Sequence, residues 1–286
     1  MADVVEYKLS IAIVTRNRPD LLEKCLASLY QQPHLWFEVL ISDDSSESES
    51  IQKNREIAEA YHAQYLSGPQ KGLYANRNFV AKHCKGTHIR TMDDDHTFPV
   101  GHFEACLQKI KEDPKAIWVI GEYSPPRVPP NAAPYRGPGE LHPRGFSTQP
   151  KDSQNSHAIS CGASIYPREV VDRNILNNEY FRFGYVYLEY GARLKYLGYR
   201  IRHLSDTFIH HNFIPVRRSF NNSVEILDSM VYALLSLSFV YQPTAGNKIS
   251  TMAAITKALV TNKEYTVKHL LKNFERIKQL KQTVKS

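Results

Sequence analysis

Apolar residues in the first 121 positions alternate between short uncharged runs and stripes of helical period. Leu9 to Val14 is uncharged and rich in β-branched residues, which predicts a buried strand. Asn17-Arg18-Pro19-Asp20 follows as a turn with a proline suited to a first helical position, and Leu22, Cys25, Leu26 and Leu29 recur behind it at helical spacing. The same rhythm predicts a strand over Phe37 to Ser42, a helix from about Ser50 to His62, a short strand at Tyr65-Leu66 and a helix over Gly72 to Cys84. It continues with a strand over Thr87 to Met92, a helix over Glu104 to Lys111 and a strand over Ala116 to Gly121. Such alternation predicts an α/β fold with a mostly parallel central sheet flanked by helices. In these sheets ligands bind beyond the carboxyl ends of the strands. Here those ends carry Thr15-Arg16-Asn17-Arg18, Asp43-Asp44-Ser45-Ser46 and Asp93-Asp94-Asp95.

The rhythm stops between Glu122 and Ser156, where eight of the sixteen prolines fall, as in a functional or disordered loop. His157 to Tyr166 is strand-like, a helix is expected from about Tyr185 to Leu197, and Tyr199 to Leu204 and Thr207 to His211 read as strands. Past Asn221 the pattern is all-helical. It closes on a stripe of Leu270, Leu271, Phe274, Ile277 and Leu280, ringed by Lys268, Lys272, Arg276, Lys278 and Lys281. The sequence thus divides into a sheet-bearing part, residues 1–215, and a helical C-terminal extension, residues 216–286.

Composition narrows the class. Hydrophobic content of 42% and charged content of 23% match a globular protein and exclude a disordered chain. A net charge of +7 and a pI near 9.1 favour anionic partners such as nucleotides, lipid phosphates or a membrane surface, with the basic C-terminal helix as the contact. Nucleic acid would rest on net charge alone and is not expected. Cys25, Cys84, Cys106 and Cys161 lie far apart with no CxxC spacing, which excludes a cysteine zinc cluster or redox pair. Met1 to Glu6 carries no apolar run, and Met230 to Tyr241 is shorter than a bilayer span. A cytoplasmic location is expected, including the inner face of the membrane.

Three adjacent carboxylates, Asp93-Asp94-Asp95, directly follow an apolar strand. Unpaired they would repel each other, and a hard divalent cation, Mg²⁺ or Mn²⁺, would relieve that repulsion. An acidic turn or helix cap would use the same residues. Asp43-Asp44 ends a second strand and suits a base N–H or a ribose hydroxyl, or equally the cap of the helix beginning near Ser48. Lys71-Gly72-Leu73-Tyr74-Ala75-Asn76-Arg77-Asn78 opens a helix whose N-terminus, with Arg77, suits a phosphate.

In this order the motifs SIAIVTRNRPDLLEKCLASL, FEVLISDDSS, KGLYANRNFVAKHCKGTHIRTMDDDHTFP and GASIYPREVV followed by YLEYGARLKYLGYRI resemble the family-2 glycosyltransferases with a GT-A fold. The resemblance spans Leu9 to His211. It implies transfer of a sugar, of hexosyl type, from a nucleotide-diphosphate donor to an acceptor hydroxyl on a glycan, a lipid-linked molecule or another carrier, usually with inversion. Thr15 and Arg18 correspond to the loop beside the nucleotide, Asp44 with Asp43 to the acid at the base, and Arg77 to the arginine near base and diphosphate. Asp93 and Asp95 match the ends of the DxD motif, with Asp95 the metal ligand and Asp93 or Asp94 nearer the ribose. His210 or His211 stands where many such enzymes place a histidine close to the metal.

One position departs from the pattern. The family's Glu-Asp pair, whose aspartate is the expected base, aligns with Val186 and Tyr187. Glu189, two places on, is the nearest carboxylate and the expected base. Two other readings remain open at this level. One is a nucleotide- or carbohydrate-binding protein of the same fold with altered catalysis. The other is a nucleotidyltransferase, whose glycine-rich first loop is missing from Thr15-Arg16-Asn17-Arg18.

Overall fold

The computed structural model describes residues 6–124, 135–156, 162–181, 184–212 and 223–285. Its N-terminal half alternates β1 (Leu9–Thr15), α1 (Pro19–Tyr30), β2 (Glu38–Asp43), α2 (Ser48–Ala60), β3 (Gln64–Ser67), α3 (Leu73–His83) and β4 (His88–Asp93). A short β5 (His96–Thr97), α4 (His102–Glu112) and β6 (Ile117–Tyr123) follow. The proline-rich region contributes β7 (Tyr135–Arg136), β8 (Glu140–Leu141) and β9 (Ser147–Thr148). Then come β10 (Ser164–Pro167), α5 (Arg168–Asp172), α6 (Val186–Tyr196) and β11 (Ile201–His211). The chain ends in α7 (Ser223–Ser236), a π-helical turn (Leu237–Tyr241), α8 (Ala245–Thr261) and α9 (Val267–Lys285).

The main sheet has the order β3-β2-β1-β4-β10-β6-β11-β5, with β7 on β6. Strands β3, β2, β1 and β4 are mutually parallel, as are β6 and β11. Between these parallel blocks β10 runs antiparallel to both β4 and β6, so the sheet is mixed. Parallel strands buried on both faces read as near-continuous apolar runs. All seven residues of β1 are buried, and Leu9, Ile11 and Ile13 pack with Leu22, Leu26 and Leu29 of α1.

The two expected strands at the C-terminal side form one, β11, with a bulge that shifts its register between Leu204 and Phe208. His102 Nδ1 lies 2.8 Å from Thr207 Oγ1 and pins that bulge to α4. Downstream of it Thr207, Ile209 and His211 are the buried positions, while His210 is exposed. Of the expected strand from His157 to Tyr166, residues 157–161, Cys161 included, lie outside the described residues. The other three cysteines are buried and free, as small apolar residues.

The C-terminal helices share a core with α6. Val186, Leu188 and Ala192 pack with Val231, Leu234, Leu235 and Ile255. The stretch Val224–Tyr241 is, by length and composition, apolar enough to cross a membrane, which corrects the shorter span read from Met230. In this fold 61% of it is buried inside the protein, as in a core helix.

Candidate active site

The register of the sheet assembles the site. Thr15 pairs with Asp43 and Val14 with Asp93, which aligns the carboxyl ends of β1, β2 and β4. Past Asp95 the chain turns into β5, whose His96 pairs with His211 at the end of β11. The Asn212 N–H donates to the Asp95 carbonyl at 2.8 Å, closing this junction. Glu122, near the end of β6, pairs with Ile209.

The three aspartates have three different environments. Arg77, itself buried, donates from Nη2 to both oxygens of Asp93 at 2.5 and 2.7 Å. Burial opposes the Asp93 carboxylate most strongly, but the charge and hydrogen bonds of Arg77 together with the charge of His96 lower its pKa. Gly162, at φ 75°, lies so close that a Cβ there would come within 2.8 Å of Asp93 Oδ2 and 2.9 Å of Arg77 Nη2. A side chain at that position would break the pair.

Asp94 is fully buried beneath the first loop. Thr15 Oγ1 and Arg18 Nε donate to its Oδ2 at 2.7 and 3.1 Å, and Arg18 Nη2 contacts its other oxygen. Burial pushes its pKa up to about 7, against the pull of Arg18. Asp94, Thr15 and Arg18 therefore clamp the β1 loop onto the acidic run.

Asp95 faces two imidazoles, with His211 Nε2 at 3.4 Å and His96 Nε2 at 3.8 Å from its Oδ1. Arg18 Nη1 lies 3.5 Å from its Oδ2. Asp95, His96 and His211 are all buried, and their potential ligand atoms lie within 4.8 Å of one another. Donors held about 2.1 Å from one ion sit roughly 3–4 Å apart, so the observed spacings suit a shared cation. Among the described residues neither ring nitrogen of His96 has a hydrogen-bond partner. Buried polar atoms without partners are costly, and a cation would satisfy them together.

Electrostatics treat the two imidazoles differently. Burial, and then the charge of His211, lower the His96 pKa to about 4, so its imidazole is neutral and able to ligate. Glu122 Oε2 lies 2.8 Å from His211 Nδ1, leaving Nε2 aimed at Asp95. Carboxylates bonded in this way orient metal-ligating histidines. Burial opposes the charged form of His211, but hydrogen bonds to Asp95 and Glu122 overcome it and raise its pKa to about 9, so a cation bound there would have to displace a proton from Nε2.

The expected site residues separate accordingly. Thr15, Arg18, Arg77, Asp93, Asp94, Asp95 and His211 come together. His210 does not: it is exposed on the opposite side of β11, against the rings of Phe208 and Tyr123, because neighbouring strand residues face opposite ways. Asp43 accepts from Ser45 N, Asn54 Nδ2 and Tyr65 OH at 2.8 to 3.0 Å, which fixes the start of α2 to the sheet. Asp44 Oδ1 accepts the Gln70 N–H at 2.8 Å, and burial raises its pKa.

Glu189, the expected base, is enclosed by the chain's own residues. It is 1% exposed, accepts the Tyr241 hydroxyl at 2.6 Å and lies 3.4 Å from Arg193 Nε. One helical turn carries it inward, toward the C-terminal helices. His96 and Glu122 were missed by the sequence reading. Their signals were a histidine directly after the acidic run and an acid at the end of an apolar strand.

Comparison with known proteins agrees with this architecture. Residues 10–175 match the model of "Glycosyl transferase family 2". Over 108 residues the chain is 30% identical to a GalNAc(5)-diNAcBac-PP-undecaprenol beta-1,3-glucosyltransferase of Campylobacter jejuni, covering 37% of this chain and 35% of that protein. It is 27% identical over 122 residues to the glycosyltransferase GlyA of Streptococcus pneumoniae, covering 42% of this chain and 18% of that one. The chain thus spans about a third or less of the length of these relatives. The fold matches that of GalNAc-T7, solved with UDP, GalNAc and Mn²⁺, at a TM-score of 0.65 and 16% identity, over 81% of this chain and 48% of the other. With more than half of its length matched by the family model, the chain belongs to glycosyl transferase family 2.

Proposed function

We propose that this glycosyltransferase moves a hexose from a nucleoside-diphosphate sugar to an acceptor hydroxyl, with a divalent cation held by Asp95, His211 and His96. The observation that carries this reading is the buried trio itself, with His96 nitrogens that have no hydrogen-bond partner among the described residues. Two imidazoles and one carboxylate suit Mn²⁺ better than Mg²⁺, which favours an all-oxygen shell. Bound there, the cation would supply a Lewis acid for the departing diphosphate.

The chain's own residues do the rest. Asp93 and Arg77 form a charged pair beside the trio, and in the proposal Arg77 turns its guanidinium toward donor phosphate. Thr15, Arg18 and Asp94 hold the first loop in the shape that receives the nucleotide, and Asp44 lies at the base end. Asp43 keeps the β2 end rigid, and Glu122 keeps His211 in its ligating tautomer. Among the described residues no carboxylate is assigned to the acceptor proton. Asp206, paired with Lys109 at 3.0 Å, is five residues before His211, about 17 Å along the strand. Residues 1–215 are proposed to bind donor and catalyse, with 216–286 as the helical extension that braces α6.

Arg77→Ala tests the nucleotide side. Affinity for a nucleoside diphosphate in the presence of Mn²⁺, read by calorimetry, should fall at least about tenfold, the scale of a lost charge-assisted contact. Unchanged affinity would place the diphosphate elsewhere.

A further inference from the structure

We propose that the outer face of the α8–α9 hairpin is a docking surface for a membrane bearing anionic lipid. The charge distribution points there first. Residues 245–286 carry nine basic and two acidic residues, which accounts for the chain's whole net charge of +7. Residues 1–244 carry 27 of each sign. The basic character is therefore a property of this hairpin and not of the catalytic sheet.

Apolar exposure is concentrated in the same place. Among the described residues nine large hydrophobic side chains are exposed, and five of them lie on these two helices: Ile249, Met252 and Val260 on α8, Val267 and Leu271 on α9. Ile249 is 72% and Val260 76% exposed. The exposed face of α8 includes Ile249, Met252, Thr256 and Val260 along one helical stripe, opposite the buried Thr251, Ile255 and Ala258. Lys248 and Lys257 flank that stripe on either side, and α8 contains no acidic residue. An apolar centre edged by lysines is the pattern of a helix lying in a membrane interface, its aliphatic side chains among the acyl chains and its lysines reaching the headgroups.

Both helices are seated on α7 and the π-helical turn. Five residues join them, and Lys248 near the start of α8 and Lys281 near the end of α9 lie over the same Phe239 ring, at 5.8 and 5.6 Å, so they run antiparallel. Asp228 of α7 bolts the hairpin down through Asn273 Nδ2 at 2.7 Å and Tyr265 OH at 3.3 Å. A second copy of the chain is disfavoured as occupant, because two faces of the same strong charge repel. Nucleic acid is disfavoured because the exposed apolar side chains of the stripe are aliphatic, with no aromatic ring on which a base could stack.

Co-sedimentation of the whole chain with vesicles tests this. The protein should pellet with phosphatidylcholine vesicles containing about 30% phosphatidylglycerol and stay in solution with phosphatidylcholine alone. Each basic residue near such a surface contributes about fivefold in partitioning, so Lys268→Glu with Lys272→Glu should weaken binding at least about tenfold. Ile249→Glu with Val260→Glu should do the same by removing the inserted apolar groups. All four positions are exposed, so melting temperature and donor turnover in solution should match the unsubstituted protein, which separates this claim from the proposed catalysis. Equal partitioning of native and substituted chains would overturn it. So would native protein that ignores anionic vesicles, dimerises through this face in sedimentation analysis, or binds single-stranded RNA in preference to vesicles.

Discussion

Asp95→Ala should lower sugar transfer by about a hundredfold to a thousandfold, the range seen when a group stabilising developing charge is removed. Asp95 is the one carboxylate of the acidic run that faces both buried imidazoles. Asp93 is engaged by Arg77, and Asp94 by Thr15 and Arg18. The loss should appear in turnover at saturating donor more than in the folding of the chain, because Glu122 still holds His211 and Asp94 still holds Arg18. Manganese binding, followed by the paramagnetic signal of the free ion, should weaken in parallel. A variant that transfers sugar at the native rate would remove Asp95 from the centre of the site.

Glu189→Ala should destabilise the chain by about 3 kcal/mol, the cost of leaving a buried charge without its partner. Arg193 would lose its carboxylate and keep the Leu176 carbonyl, and the Tyr241 hydroxyl would lose its acceptor. The milder Glu189→Gln retains a bond to Tyr241, and should transfer sugar within a few fold of the native rate per folded molecule. Denaturant unfolding and activity measured on the same preparations separate these effects. Loss of transfer in a fully folded Glu189→Gln protein would restore the catalytic reading.

Strand ends bearing Thr15, Asp43 and Asp93 were legible because a buried parallel strand is an uninterrupted apolar run, and the polar residues that stop it are conspicuous. The burial of Glu189 was not legible because its partners are Arg193, one turn on, and Tyr241, 52 residues away, and no local pattern announces the second. The antiparallel course of β10 is likewise invisible, since four residues fix no direction until β4 and β6 flank them. His211 was separable from His210 only once the β11 bulge, held by His102 and Thr207, set which of the two faces inward. The triple aspartate drew attention away from His96, although a histidine after three acids was itself a sign of mixed ligands.

Donor turnover in the absence of acceptor bears most directly on the central claim. The unsubstituted protein would be given a panel of nucleoside-diphosphate sugars, first stripped with excess EDTA and then with Mn²⁺ restored, and release of nucleoside diphosphate would be followed. The account expects at least one donor to be cleaved with Mn²⁺, cleavage to cease in EDTA, and recovery with Mn²⁺ to exceed that with Mg²⁺. Cleavage that continues undiminished in excess EDTA would contradict a metal-holding role for Asp95, His96 and His211.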